Sequence, residues 1–189
     1  MLNPFTRKGD PYMLVVGMTG VKMGDRLIQV GCEHGGRLAA VAAKVGLSGR
    51  AVAVVPDAAA AERAEKGAAA AGVLVEVAVA PPSALGQDSL GFDVAVVDDT
   101  GGMLGGMDAA RRTAAVAELA RVLRPGGRVV FIGAGAAGGL GGLLKGAAPA
   151  PSFAGSPDAP AIMAASGFSA LRPLAEREAL TFSEALKPR

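Results

Sequence analysis

The feature that most constrains this chain is the alternation of short aliphatic runs with longer segments of helical pattern. The runs Arg26–Val30, Ala51–Val55, Val73–Val79, Phe92–Val97 and Arg128–Ile132 are dominated by Val, Ile, Leu and Ala on consecutive positions. Strands of that kind are buried on both faces, as in a parallel sheet covered by helices on each side. The segments between them carry helix signals. Gly36–Val45 sets Leu38, Val41 and Val45 on one face and stops at Gly46. Asp57 is an N-cap for a helix reaching about Ala71, with Glu62 and Lys66 at i, i+4 spacing. Ala109–Leu123 turns Val116, Leu119 and Leu123 inward before Arg124-Pro125-Gly126-Gly127 breaks it. This succession of βαβ units predicts a doubly wound parallel α/β sheet.

The two ends add less regular pieces. Pro11–Val21 reads as a short leading helix or lid, within an N-terminal segment 1–24 that packs on the domain. About half the residues from Gly133 to Gly146 are glycine, which predicts a flexible loop over 133–151. Ala159–Ser166 forms a last helix. Ser169–Ala175 and Leu180–Leu186 then read as two strands, a closing antiparallel hairpin that brings the sheet to about seven strands. With 189 residues and no linker, the chain is expected to form one domain over 1–189.

Composition narrows the function classes. Half the residues are hydrophobic and only 4% aromatic, so the core is expected to consist mostly of Ala, Val and Leu. The net charge of +2 comes from scattered basic residues, which gives no nucleic-acid footprint. Cys32 is the single cysteine; it excludes an internal disulfide framework and suits a reducing, cytoplasmic setting. The apolar stretch Met13–Val16 is broken by Gly17, Thr19 and Gly20, so neither a secretory signal nor a membrane span is expected. A mean hydropathy of +0.39 leaves aliphatic surface through which a homodimer can form.

Four stretches carry a family resemblance. Gly24-Asp25-Arg26-Leu27-Ile28-Gln29-Val30-Gly31-Cys32-Glu33-His34-Gly35 resembles the first strand and glycine loop of the class I S-adenosylmethionine-dependent methyltransferases. Gly49–Val55 with its Ala-rich helix resembles their second strand, and Phe92–Val97 their fourth. Ala120–Val129, with Leu123-Arg124-Pro125-Gly126-Gly127 at its centre, is similar to the family's helix-to-strand turn. The tail from Gly167-Phe168 to Lys187-Pro188 is similar to its closing strands. The resemblance implies a Rossmann-like sheet, a cleft at the carboxyl ends of the strands, S-adenosylmethionine as cofactor and a small-molecule methyl acceptor.

The same resemblance shows where this chain departs from the pattern. The family's glycine loop is acidic-x-Gly-x-Gly-x-Gly; here Gln29 stands at the acidic position, Gly31 and Gly35 keep two glycines, and Glu33 replaces the middle one. The acidic residue expected at the end of strand two, a ribose acceptor, is Val55, followed by Pro56. The position that meets adenine after strand three is Pro81, next to Pro82, which leaves Ser83 and the Ala84 amide as polar groups there. Four changes around one ligand are more economically explained by loss or change of that ligand than by independent drift.

Gly31, Cys32, Glu33, Gly35, Val55, Pro56, Ser83, Ala84 and Asp98 are therefore the candidate cofactor-site residues, with Asp98, after strand four, the best placed for a polar contact. Glu33, His34, Asp98 and Asp99 gather at the same edge, and residues of those types serve as general bases or metal ligands. With no recognisable ligand spacing, and His34 the only histidine, they read as solvated loop residues and no metal is assigned. Cys32 reads as a small, half-buried filler. Two functions stay open: a methyltransferase acting on a small molecule, and a catalytically inactive homologue serving as a binding or interaction module. A dinucleotide oxidoreductase fits poorly, because Gly31-x-x-x-Gly35-Gly36 is not the dinucleotide spacing.

Overall fold

The computed structural model describes residues 11–135 and 148–189. The strands are β1 (Arg26–Val30), β2 (Arg50–Val55), β3 (Glu76–Val79), β4 (Phe92–Asp99), β5 (Leu123–Ala134), β6 (Arg172–Arg177) and β7 (Leu180–Leu186). They form one sheet in the order β3-β2-β1-β4-β5-β7-β6. The first five run parallel; β7 pairs antiparallel with β5, and β6 with β7. Strand order reverses between β1 and β4, where a doubly wound sheet opens a crevice at its carboxyl edge.

Residue alternation along the strands sorts the two faces. Ile28, Val30, Val52, Val54, Ala95 and Val97 pack into a core with the helices α4 (Ala109–Val122) and α5 (Ala159–Ala165). Leu27, Ala53, Val55, Val94 and Val96 face the other way, toward α1 (Met13–Thr19), α2 (Gly35–Ala42) and α3 (Ala58–Ala71). Val15 of α1 is buried in that second core, and the Arg128 guanidinium donates to the Thr19 carbonyl, which fastens the short helix to the sheet.

Several boundaries differ from the sequence reading, each for a local reason. The helix after β1 begins at Gly35 and gives way at Ala43 to a 3-10 turn ending before Gly46. β3 is limited to Glu76–Val79, because it is an edge strand paired only with the last four residues of β2. β5 takes in Leu123, whose pairing with Phe92 precedes a register shift that contains Arg124-Pro125-Gly126-Gly127. β6 starts at Arg172 rather than Ser169, held by Arg172↔Glu184 and ending at Arg177↔Leu180. β4 runs on through Asp98 and Asp99, which are strand residues rather than loop residues. Of the expected flexible segment 133–151, Gly133 and Ala134 belong to β5, and 136–147 lie outside the described residues. No helix among the described residues is long and apolar enough to cross a membrane.

Candidate functional site

The carboxyl edge of the sheet is organised by two adjacent aspartates pointing to opposite faces. Asp98 turns toward α2. Its carboxylate accepts from the Glu33 amide at 3.0 Å, from Arg37 Nη2 at 3.2 and 3.3 Å, and from the Thr100 hydroxyl at 2.6 Å. Arg37 also donates to Thr100 Oγ1 at 2.7 Å, closing a triangle of three side chains. The Arg37 and Asp98 side chains are 16% and 2% exposed, so the ion pair is largely removed from water and its charges are mutually satisfied. Arg37 Nε is buried without a protein partner.

Asp99 turns toward α4 and is fully buried. It accepts the amides of Leu104 at 2.7 Å, Gly105 at 3.2 Å and Phe153 at 2.7 Å, pinning the loop after β4 and the turn before α5 to one point. Burial pushes its carboxyl above the ordinary range, opposed by those three amide donors and helped by the neighbouring Asp98 charge. Both aspartates thus depart from the solvated-loop expectation. As strand-end residues below 2% exposure, they hold neighbouring loops in place.

The glycine loop keeps a positive-φ glycine after β1. Gly31 has φ +83°, and a Cβ there would lie 2.8 Å from the Asp98 carbonyl and 3.1 Å from Met103 Cε, so only glycine fits between β4 and Met103. Gln29 is buried and donates through Nε2 to the Gly31 carbonyl at 3.0 Å, stapling the loop onto its own strand. Cys32 is 1% exposed, a full core position rather than a half-buried one; burial and the Asp98 charge push its thiol up to about 11. Glu33 is an exposed residue whose side chain lies against the loop after β4, where a Cβ on Gly101 would fall 2.6 Å from its Cδ. His34 is exposed and tilted against Tyr12, with ring centroids 5.5 Å apart. Gly35 crosses α3 at backbone contact: a Cβ on Gly67 would sit 2.3 Å from the Gly35 carbonyl carbon.

The remaining positions expected to meet S-adenosylmethionine follow β2 and β3. Val55 is fully buried among Cys32, Ala53, Ala60 and Ala64 and has no acceptor. Pro56 is exposed. Asp57, the nearest carboxylate, is committed to capping α3 through the Ala60 amide at 2.8 Å. After β3, Ala80 donates to the Val55 carbonyl and Ala84 to the Pro81 carbonyl, so the Ala84 amide is spent in a turn. Ser83 is exposed there. Among the described residues, no group of three His, Cys, Asp or Glu side chains is placed to hold a metal ion. The residues at this edge therefore do not fit the cofactor as the fold would bind it: the ribose acceptor is absent, the adenine-side amide is engaged, and the best-placed carboxylate is neutralised by Arg37. Arg37, Thr100 and Met103 were not among the residues singled out from the sequence; an arginine at the third position of an otherwise small and aliphatic helix was the available signal for the first.

A parallel sheet whose order reverses at β1 and β4, extended by an antiparallel hairpin and carrying a glycine loop after its first strand, defines the class I methyltransferase type of α/β protein. Residues 27–127, more than half of the chain, match the methyltransferase domain family, and the chain belongs to that family. Solved structures agree on the fold. An S-adenosylmethionine-dependent methyltransferase from Aquifex aeolicus superposes with a TM-score of 0.71 at 17% identity, over 94% of this chain and 89% of that one. An O-methyltransferase from Thermotoga maritima gives 0.66 at 17% identity, over 94% and 64% of the two chains. The [4+2]-cyclase SpnF gives 0.64 at 18% identity, over 94% and 79%. Identities this low speak for the fold alone. A search of the curated proteins finds no match to the sequence.

Proposed function

We propose that this chain is a catalytically inactive member of the methyltransferase domain family, a methyltransferase scaffold kept as a binding or interaction module. The observation that carries the reading is the engagement of Asp98 by the chain's own groups. Asp98 is saturated by Arg37, Thr100 and the Glu33 amide. A ligand that needed that carboxylate would have to displace a shielded ion pair. Buried Val55 adds a second obstacle, because a ribose hydroxyl set against it would lose hydrogen bonds to water and gain none. That the fold has other uses is supported by the [4+2]-cyclase among its solved relatives.

A second reading, methyl transfer from S-adenosylmethionine to a small molecule, is favoured by two observations. Gly31 retains the positive φ that lets a ligand approach the loop closely, and Glu33 is exposed rather than wedged into the core. Methyl transfer asks chiefly for alignment of donor and acceptor, so the lack of an acid–base motif does not count against it. Equilibrium dialysis of the full chain against labelled S-adenosylhomocysteine separates the two. Retention at micromolar ligand supports methyl transfer, and no retention by a cooperatively folded protein supports the inactive module.

A further inference from the structure

We propose that a cleft between the closing hairpin and the turn before α5 binds a small uncharged molecule with an apolar body and an oxygen-bearing polar end. The cleft holds about 500 Å³ and is walled by the end of β5, the facing stretches of β6 and β7, and the turn that begins at Ser152. It lies beyond β5, outside the crevice between β1 and β4, so the proposal does not rest on the reading of that crevice. Three hydroxyls line it, from Ser152, Thr181 and Ser183. Ser152 Oγ is buried without a hydrogen-bond partner, and the Thr181 and Ser183 hydroxyls make no hydrogen bond among the described residues. Two of the three converge. A Cβ on Gly133 would stand 2.5 Å from Ser152 Oγ and 2.7 Å from Thr181 Oγ1, so both hydroxyls close on the side of Gly133 that a side chain would occupy. A buried hydroxyl left unpaired costs free energy, which a ligand oxygen placed beside it recovers.

The rest of the lining selects the body and charge of the ligand. Ala154, Leu174 and Phe182 supply apolar surface, and the volume falls in the range of small-molecule sites. Hydroxyls both donate and accept, so they answer an alcohol or a carbonyl and favour neither sign of charge. Glu176 is the one ionisable residue in the lining, and no cation stands with it there, which disfavours an anion. As an exposed carboxylate next to Arg177 it adds little for a cation. The backbone along the cleft is constrained as well. Glu178 and Ala179, two successive residues other than glycine, hold φ of +55° and +58° at the hairpin tip just before Thr181. β6 carries a register shift between Pro173 and Ala175, opposite Ser183 and Phe182. Strain of that kind persists where a site fixes the geometry.

Titration of the isotope-labelled full chain with benzyl alcohol, beside benzylammonium and benzoate as charged isosteres, tests the proposal by nuclear magnetic resonance. Benzyl alcohol at millimolar concentration should shift the amide resonances of Gly133, Ser152, Thr181 and Ser183. Both charged isosteres should bind about fivefold more weakly or worse. Ser152→Ala should lower the affinity for benzyl alcohol about five- to tenfold, the worth of one neutral hydrogen bond. It should do so without lowering the melting temperature, because the parent hydroxyl has no partner to lose. Thr181→Val, which keeps the shape, should weaken binding to a similar extent. No shift at those amides, or a stronger response to either charged isostere, overturns the proposal. A Ser152→Ala variant that binds like the parent, or that melts lower than the parent, overturns it as well.

Discussion

Arg37 donates to both oxygens of the Asp98 carboxylate, at 3.2 and 3.3 Å, across the crevice between the first and fourth strands. Those two strands flank the point where sheet order reverses, so the ion pair ties together the elements that a ligand at this edge would have to part. Arg37→Met leaves Asp98 with Thr100 and the Glu33 amide as its donors. It should cost about 1–3 kcal/mol in denaturant unfolding. Arg37→Lys, which keeps the charge without the planar fork, should cost less. A methionine variant as stable as the parent would mean the pair contributes nothing net.

Asp99 behaves differently because its partners are backbone amides. Asp99→Asn keeps one acceptor oxygen and should cost about 1–2 kcal/mol, whereas Asp99→Ala leaves three buried donors unpaired and should cost about 3 kcal/mol or more. The pH dependence follows from its raised carboxyl. Above the unfolded value the unfolded state releases a proton that the folded state still holds, so this group's contribution to stability declines as pH rises from the ordinary aspartate value to the raised one. Urea melts of parent and Asp99→Asn across that acid range should show the decline in the parent alone.

Cys32 gives a slope at the other end of the scale. Its thiol is raised from 9.0 to about 11 by burial, so between those values the unfolded chain ionises first and stability falls as pH rises. The loss is at most about 2–3 kcal/mol by linkage, and Cys32→Ala should flatten it. The native thiol should also resist a disulfide reagent at neutral pH until the protein unfolds. Rapid labelling of the folded protein would contradict the burial.

Gly67 and Gly35 let α3 and α2 touch backbone to backbone. Gly67→Ala places a methyl 2.3 Å from the Gly35 carbonyl carbon, so the helices must separate. Despite the better helix propensity of alanine, the variant should lose about 1–3 kcal/mol and shift the glycine loop that Gly35 terminates. A gain in melting temperature would show that the crossing has slack.

Val55→Asp restores the carboxylate that the family resemblance leads one to expect after β2. Because Val55 sits in the aliphatic cluster with Cys32, Ala60 and Ala64, the new charge is buried without a donor and should cost about 2 kcal/mol or more. Combined with Glu33→Gly, it tests the register of the site: a gain in S-adenosylmethionine affinity by calorimetry is the expected result if Val55 occupies the ribose position.

The sheet was legible because its strands are doubly buried and therefore aliphatic without interruption, and because Asp57 and Gly46 punctuate the helices at the ends where caps belong. Leu123 escaped because a strand that starts before a Pro-Gly-Gly excursion looks like the end of a helix. The altered cofactor positions were readable one at a time as residue types, since a valine or a proline cannot do the chemistry of a carboxylate or an amide. What occupies their place was not readable. That Arg37 reaches Asp98, and that Glu33 folds against Gly101, depends on contacts 61 and 68 residues apart in sequence, which no local pattern encodes. The same holds for Asp98 and Asp99, whose charge suggested solvent while their partners hold them inside.

The most direct test of the account is calorimetric titration of the folded chain with S-adenosylmethionine, run beside a thermal melt that establishes cooperative folding. The proposed inactive module predicts no heat of binding and no shift in the melt at millimolar ligand. Micromolar binding would contradict it, and would mean that Arg37 yields Asp98 to the ligand.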